Sequence, residues 1–320
     1  MSEPRTAFFT VCSDWYFPGL VAMVNSLRIL GHREPVVVGD CGLTTAQKRI
    51  LEPHCELFSL EGAGVSSPIQ YKPFPHLLGA RGTLVFIDSD MVVTSSLAPI
   101  VSAAREGSLC IFPDPERARW FREWSEIFAL QAPLRRQPYA NTGFVAFSTD
   151  AWPDLLSRWW SCCERTFTTA TYQQGAAWDG PIAQGDQDAF NALLMSEIVE
   201  ADIDFQPMDG QVYAWSFPDV VIEDAESLRC RFRGSRPSIL HSVFRPKPWE
   251  YMGVDTRNPY FKLMMRCLTG SDLVIRVPAQ HLPVWLRSGL PGEGARAALT
   301  VQNAGLAVAR GIRDRFSGRT

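Results

Sequence analysis

Long apolar runs are missing from this chain. None approaches the ~18 residues a spanning helix requires, so no transmembrane helix is expected. The opening MSEPRTAFF has no apolar leader core, which predicts a chain without a secretory signal. Eight cysteines (Cys12, Cys41, Cys55, Cys110, Cys162, Cys163, Cys230 and Cys267) include no C-x-x-C pair, so a zinc ribbon is excluded and reduced thiols in a cytoplasmic protein are expected. An excess of one charge is also lacking: 31 basic residues face 34 acidic ones, for a net charge of −3, which argues against a nucleic-acid partner. No internal repeat or low-complexity stretch occurs. What is present is a globular composition, 46% hydrophobic and 20% charged over 320 residues, enough for a large core in one elaborated domain or two.

The first ninety residues alternate strand and helix patterns. TAFFTVC, PVVVGD, CELFSL and GTLVFID read as strands. DWYFPGLVAMVNSLRILG reads as a helix with Asp14 near its N-cap, Pro18 in its first turn and Gly31 as its stop, and TTAQKRILEP as a second helix capped by Thr44. LAPIVSAA (helix), SLCIF and TGFVAFS (strands) and AWPDLLSRWWSCCERTF (helix) continue the series. The pattern predicts an α/β protein with a Rossmann-like, mostly parallel central sheet and helices on both faces. After Glu200 shorter strand-like pieces, QVYAW, DVVI and SILH, precede a helix, YFKLMMRCLTG, which predicts a smaller mixed part. PVWLRSGLPGEG reads as a linker to a basic segment, 295–320, giving a main domain over 1–270 and a linker with tail over 271–320.

Three stretches could carry chemistry. D-x-D occurs three times, at Asp88/Asp90, Asp186/Asp188 and Asp202/Asp204, but only the first follows a continuous apolar strand, TLVFI. In open parallel sheets ligands bind beyond the carboxyl ends of strands, and two carboxylates there suit a hard divalent cation completed by substrate phosphates; a solvated strand-end turn is the alternative. In ILHSVFRPKPW, His241 ends a short strand and Lys247 lies between Pro246 and Pro248. A neutral imidazole can ligate Mn²⁺ beside carboxylates and a Lys on a stiffened loop can neutralise a diphosphate; taken alone, the stretch reads more simply as a core His and a surface Lys. In GDQDAFNALL, Asp186 is a plausible N-cap, or an acid that with the neighbouring amide grips sugar hydroxyls.

Taken in order, FFTVCSDWYFPGLVAMVNSLR, VFIDSDMVV, NTGFVAF, DQDAFN and HSVFRPKPW make the chain resemble glycosyltransferase family 8 over roughly residues 6 to 250. That family has the GT-A fold and includes the glycogenins and bacterial lipopolysaccharide galactosyl- and glucosyltransferases. The resemblance implies a metal-dependent, retaining transfer of a hexose from a nucleotide sugar, UDP-glucose or UDP-galactose, to a glycan, lipid-linked or protein acceptor. It implies Asp88, Asp90 and His241 as ligands of Mn²⁺ or Mg²⁺, and Lys247 at the donor diphosphate. It places Tyr16 against the uracil, Val11, Cys12 and Ser13 near the nucleoside, and Lys72, Ser89, Asp114 and Asn141 about the rest of the donor. Asp186 would hold the donor sugar and Gln187 would lie near its β-face. Two positions depart from the family: Phe244 replaces a motif glycine, and Ser13 replaces an Asn or Asp.

Other readings come from other classes. A sugar-phosphate nucleotidyltransferase would need a Gly-rich basic loop after the first strand, and TVCSDWYFPG has none; a non-catalytic sugar-nucleotide-binding relative is the third possibility, raised by Phe244. Trp159 and Trp160 read as core, and Trp178, Trp215 and Trp249 as candidates for stacking on an acceptor. PERARWFREW reads as a solvated helix or lid. The segment 295–320, with Leu306, Ile312 and Phe316 among Arg310, Arg313, Arg315 and Arg319, reads either as a packed helix or as a peripheral contact with the inner face of a membrane.

Overall fold

The structure, a computed structural model, describes residues 5–61, 68–116, 118–168 and 180–317. In chain order the strands are β1 (Thr6–Cys12), β2 (Val36–Asp40), β3 (Glu56–Ser59), β4 (Thr83–Ile87), β5 (Met91–Val93), β6 (Leu109–Pro113), β7 (Ala140–Ser148), β8 (Ile203–Phe205), β9 (Gln211–Tyr213), β10 (Val220–Asp224), β11 (Arg229–Phe232) and β12 (Ile239–His241). The helices are α1 (Phe17–Ile29), α2 (Thr45–Leu51), α3 (Ala98–Arg105), α4 (Trp124–Ile127), α5 (Leu155–Thr168), α6 (Asp186–Glu197), α7 (Pro259–Thr269) and α8 (Leu290–Ser317). Contacts group them into two compact units, one of 1–17, 32–89 and 96–211, the other of 18–31, 90–95 and 212–320.

The first unit is built on a seven-stranded sheet of order β3-β2-β1-β4-β7-β6-β8. Its pairings are parallel except at β7, which runs antiparallel to both β4 and β6. The expected mostly parallel α/β architecture is what forms. β4 and β7 are buried along their whole length, and so read as unbroken apolar runs rather than as alternating ones. One face carries an aromatic layer: Phe86 packs on Phe9, Phe147 and Trp159, with ring centroids 5.9, 5.9 and 5.1 Å away, and Trp159 packs on Phe190 of α6 at 4.6 Å. Trp159 and Trp160 are core residues, as the sequence predicts. This packing seats α5 and α6 on the sheet and so fixes where the first turn of α6 falls.

The second unit holds the three-stranded sheet β5-β12-β9 and the β10–β11 hairpin. Asn25 of α1 is fully buried here; its amide donates to the carbonyls of Cys267 and Ile275 (both 2.9 Å), and its Oδ1 accepts from Ile275 N (2.9 Å). α7 starts on an Asn258 cap that accepts from Tyr260 N and Phe261 N.

Three expectations need correction. Asp14 does not cap α1: residues 14–16 form a separate 3-10 turn, and the Asp14 carboxylate accepts from the adjacent Trp15 N instead. PVWLRSGLPGEG is not a linker throughout, because α8 begins at Leu290. A proline in a helix's first turn lacks only an N–H that would have no intrahelical acceptor, so LPGEG can open a helix as well as break one. PERARWFREW is no solvated lid: α4 is a single turn, Trp124 is fully buried, and Arg119 is buried against a carboxylate described below. The first half of α8 packs on its own unit, with Asn303 donating to the carbonyls of Tyr251 (3.0 Å) and Val254 (3.1 Å). Among the described residues no helix is long and apolar enough to cross a membrane. The side chains of Arg310, Ile312, Arg313, Arg315 and Phe316, and all of Arg319, lie outside the described residues, as does Trp178.

Asn25→Ala would leave one carbonyl pair and one N–H buried without partners. We expect it to lower stability by about 2 kcal/mol or more, read as a drop in the urea midpoint, while an exposed control such as Gln302→Ala shifts it far less.

Candidate functional site

At the carboxyl edge of the large sheet the reversed strand β7 matters most. Because it is antiparallel, its beginning lies beside the ends of β4 and β6, which the registers Ile87↔Phe144 and Pro113↔Ala140 show directly. Asp88 N donates to Gly143 O (2.9 Å) and Asp114 N to Tyr139 O (2.8 Å), so the residues just after β4 and β6 are hung on the start of β7.

Around that edge the first unit gathers two polar clusters. In one, the buried ammonium of Lys72 lies 2.9 Å from Asp88 Oδ1 and 3.2 Å from Asp186 Oδ2, and donates to Thr142 O (3.1 Å). Burial pulls the Lys72 ammonium down, but Asp186 and Asp88 outweigh it and hold the group firmly protonated. Burial pushes the Asp186 carboxyl up, with Lys72 opposing in part and the nearby Asp88 charge adding to the rise. Thr142 Oγ1 also donates to Asp186 Oδ2 (2.9 Å). Asp186 therefore does not act as the cap: it is the first residue of α6, and the cap position is Gly185.

The other cluster joins Asp114, Asn141 and Gln187. Asn141 Nδ2 donates to Asp114 Oδ2 (2.9 Å) and Gln187 Oε1 (3.1 Å), Gln187 Nε2 donates to Asp114 Oδ2 (3.2 Å), and Thr142 N donates to Gln187 Oε1 (3.1 Å). Gln211 Nε2 steadies Asn141 Oδ1 at 2.9 Å. Next to Gln187 in the same first turn of α6, Asp188 is completely buried and fully engaged. It accepts from Arg119 Nε (2.7 Å) and Nη2 (2.8 Å), from Tyr139 Oη (2.8 Å) and from Gln184 N (2.8 Å). Burial alone pushes the Asp188 carboxyl up, and the Arg119 guanidinium works against that shift.

In the second unit the apolar resumption after the D-x-D is the strand β5. It pairs antiparallel with β12 in the register Met91↔His241, and Ser242 N donates to Asp90 O (3.0 Å). Asp90 Oδ1 lies 3.2 Å from His241 Nε2, Asp90 Oδ2 lies 2.6 Å from Lys247 Nζ, and Tyr260 Oη donates to the Asp90 carbonyl (2.9 Å). Burial would raise the Asp90 carboxyl, but His241 and Lys247 hold it well below the usual carboxylate range. Lys247 is itself buried and also donates to Ser242 O. Gly253 seals the loop, because a Cβ there would come within 1.9 Å of Lys247 O.

One ligand atom each from Asp88, Asp90 and His241 lies within 4.8 Å of the other two. Only Ser89, itself buried, separates the two carboxylates along the chain, so the turn ties Asp88 to the Asp90–His241 pair covalently. Two carboxylates and an imidazole are the donor chemistry of a divalent-cation site with borderline character, and they fit Mn²⁺.

The nucleoside candidates lie at the end of β1 and in the turn beyond it. Val11, Ser13 and Tyr16 are half-buried, while Cys12 is buried with its thiol donating to Ser13 O (3.2 Å). Trp249 is buried, its carbonyl accepting from Trp285 Nε1 (3.1 Å), and so offers no stacking face; Trp215 is half exposed. Sequence reasoning did not mark Thr142, Arg119, Tyr139, Ser242 or Tyr260. Thr142 stands beside Asn141, and Ser242 beside His241, in the motifs quoted above, but the other three carry no local signal.

No family profile and no curated protein matches this chain by sequence. Solved structures do match. The apo structure of the WbbM bifunctional glycosyltransferase superposes with a TM-score of 0.56 at 15% identity, covering 83% of this chain and 50% of that one. An active-site mutant of LgtC superposes at 0.55 and 14% identity, covering 86% of this chain and 98% of that one. The galactosyltransferase LgtC in complex with donor and acceptor sugar analogs gives 0.51 at 14%, with the same coverage. The fold is that of the GT-A glycosyltransferases. This chain spans half the length of WbbM and nearly all of LgtC.

Arg119→Met should strand a buried carboxylate and cost about 3–5 kcal/mol. In urea unfolding, the double variant Arg119→Met with Asp188→Asn should be less destabilised than Arg119→Met alone, because the unpaired charge is then gone.

Proposed function

We propose that this chain is a metal-dependent, retaining glycosyltransferase that transfers a hexose from UDP-glucose or UDP-galactose to a glycan, lipid-linked or protein acceptor. The observation that carries this reading is the Asp88, Asp90 and His241 donor set on a GT-A fold. Those three side chains would hold Mn²⁺ or Mg²⁺, and the ion, when bound, would neutralise the diphosphate as it departs.

The chain's own residues have separate tasks in this reading. Lys247 orients Asp90 and adds positive charge beside it, and Lys72 holds Asp88 and Asp186 together by offsetting part of their mutual repulsion. Asp186 grips donor-sugar hydroxyls, while Asp114 and Asn141 keep the Gln187 amide in one orientation at the sugar's β-face. Tyr16 stacks on the uracil, with Val11, Cys12 and Ser13 along the nucleoside and Ser89 beside the diphosphate. Retention by a covalent glycosyl-enzyme would need a free nucleophile. The Gln187 amide is a poor one, and both oxygens of Asp188 are occupied by Arg119, Tyr139 and the Gln184 backbone. This favours attack by the acceptor on the face from which the diphosphate leaves, with a departing phosphate oxygen taking the proton. The reading includes a cytoplasmic location, with contact of 295–320 with an anionic membrane surface as the alternative to a helix packed on its own unit; equal liposome flotation with and without that segment would dispose of the membrane contact.

Incubation with UDP-glucose or UDP-galactose and Mn²⁺ should release UDP slowly without an acceptor, and EDTA should stop it. Asp90→Asn and His241→Ala should each weaken Mn²⁺-dependent UDP binding in calorimetry by about 100-fold or more. Release of pyrophosphate in an incubation with sugar 1-phosphate and UTP would favour a nucleotidyltransferase instead, and UDP binding indifferent to both metal and these substitutions would remove the reading altogether.

A further inference from the structure

The second unit carries an aromatic feature that the donor chemistry does not use. Trp215 and Phe244 are 50% and 52% exposed, yet their rings lie 5.4 Å apart, tilted at 44° to one another. Beneath Trp215 the buried Tyr213 ring is stacked at 4.9 Å and 2°, and Tyr213 in turn lies 5.9 Å from His241. A row of rings thus runs from a proposed metal ligand out to solvent.

The row is held in place rather than draped on the surface. Trp215 belongs to the 3-10 turn Ala214–Asp219, whose Phe217 is buried on Tyr260 at 5.4 Å and 18°, and the Tyr260 hydroxyl donates to the Asp90 carbonyl. Phe244 sits in the loop between His241 and Lys247, whose two ends are pinned by Ser242 N on Asp90 O and by Lys247 on the Asp90 carboxylate. Asp90 therefore anchors both exposed rings.

We propose, resting on the glycosyltransferase reading, that Trp215 and Phe244 form a subsite that stacks on a pyranose ring of the acceptor. A pyranose presents a face of C–H bonds that a flat aromatic surface covers well, while its hydroxyls stay at the rim in water. The attacking hydroxyl has to reach the anomeric carbon next to the diphosphate, so an acceptor ring must lie within a few ångströms of the metal ligands. The exposed rings begin one side chain away from His241, where such a ring would rest. The acceptor is then a glycan or glycoside, engaged through a sugar and not through a peptide or an alkyl chain alone.

Saturation-transfer NMR tests this with methyl β-D-glucopyranoside and methyl β-D-galactopyranoside, in the presence of Mn²⁺ and UDP. The wild-type protein should saturate the ring C–H protons of at least one glycoside, and Trp215→Ala or Phe244→Ala should weaken its apparent affinity by about tenfold, whereas Phe244→Tyr should preserve it. Both positions are solvent-facing, and thermal melts of each variant verify that it is folded. The proposal is overturned by any of four results: no saturation in the wild type, equal saturation in Trp215→Ala, displacement of the glycoside by UMP with UDP omitted, or a wild-type dimer in ultracentrifugation that Trp215→Ala dissolves. The same samples report Mn²⁺-dependent UDP binding by calorimetry. Its absence counts against the glycosyltransferase reading, while the aromatic pair is judged by the glycoside signal, so the two failures are told apart.

Discussion

A carboxylate taken out of water must be met by a cation or by several hydrogen-bond donors, and much of this structure follows from that requirement. Asp90 is met by His241 and Lys247, Asp88 and Asp186 share Lys72, and Asp188 is met by Arg119. The partners come from distant parts of the chain, so each pair also fixes the path of a loop. Lys247 shapes the segment after β12, and Arg119 draws the stretch after β6 down onto α6. The same bonds that neutralise these acids leave Asp88 partly open to solvent while closing Asp188 off completely. Exposure and enclosure of neighbouring acids are thus settled by which cation reaches which.

Two strands supply the geometry within which those pairs form. Reversing β7 brings Asn141 and Thr142 to the edge where β4 and β6 end, whereas a parallel β7 would begin at the opposite edge of the sheet. β5, only three residues long, is zipped to β12 and thereby delivers Asp90 to a histidine far along the sequence. β7 is also buried along its whole length, whereas β5 is too short to add much area to a core. Their value lies in register, since a slip of one residue would turn the side chains to the opposite face.

Much of this was legible in the chain itself. The apolar strand TLVFI ending in two aspartates, the ordered motifs, the Thr44 cap and the core tryptophans all rest on local pattern, and local pattern is what a sequence displays. What stayed hidden depends on tertiary partners. Arg119 reads as one charge among several in PERARWFREW, and only the buried Asp188 reveals why it leaves solvent. MVV after the D-x-D reads as an apolar remainder until β12 is there to pair with it. Lys247 also meets Asp90 and Ser242, partners that no local pattern around it displays. LPGEG misleads because proline and glycine punctuate chains in both directions, and only the contacts of α8 decide.

The bare α-carbon of Gly253 lying against the Lys247 carbonyl carries an evolutionary implication. A methyl group at position 253 would force the backbone of Lys247 aside, and the ammonium could then no longer sit on Asp90. A half-exposed glycine, remote in sequence from either aspartate and without any functional group, is thereby placed under the same selective restraint as the acids. In a drifting lineage it would be among the last positions of this loop to change, and mutational libraries built only around the polar residues would miss it.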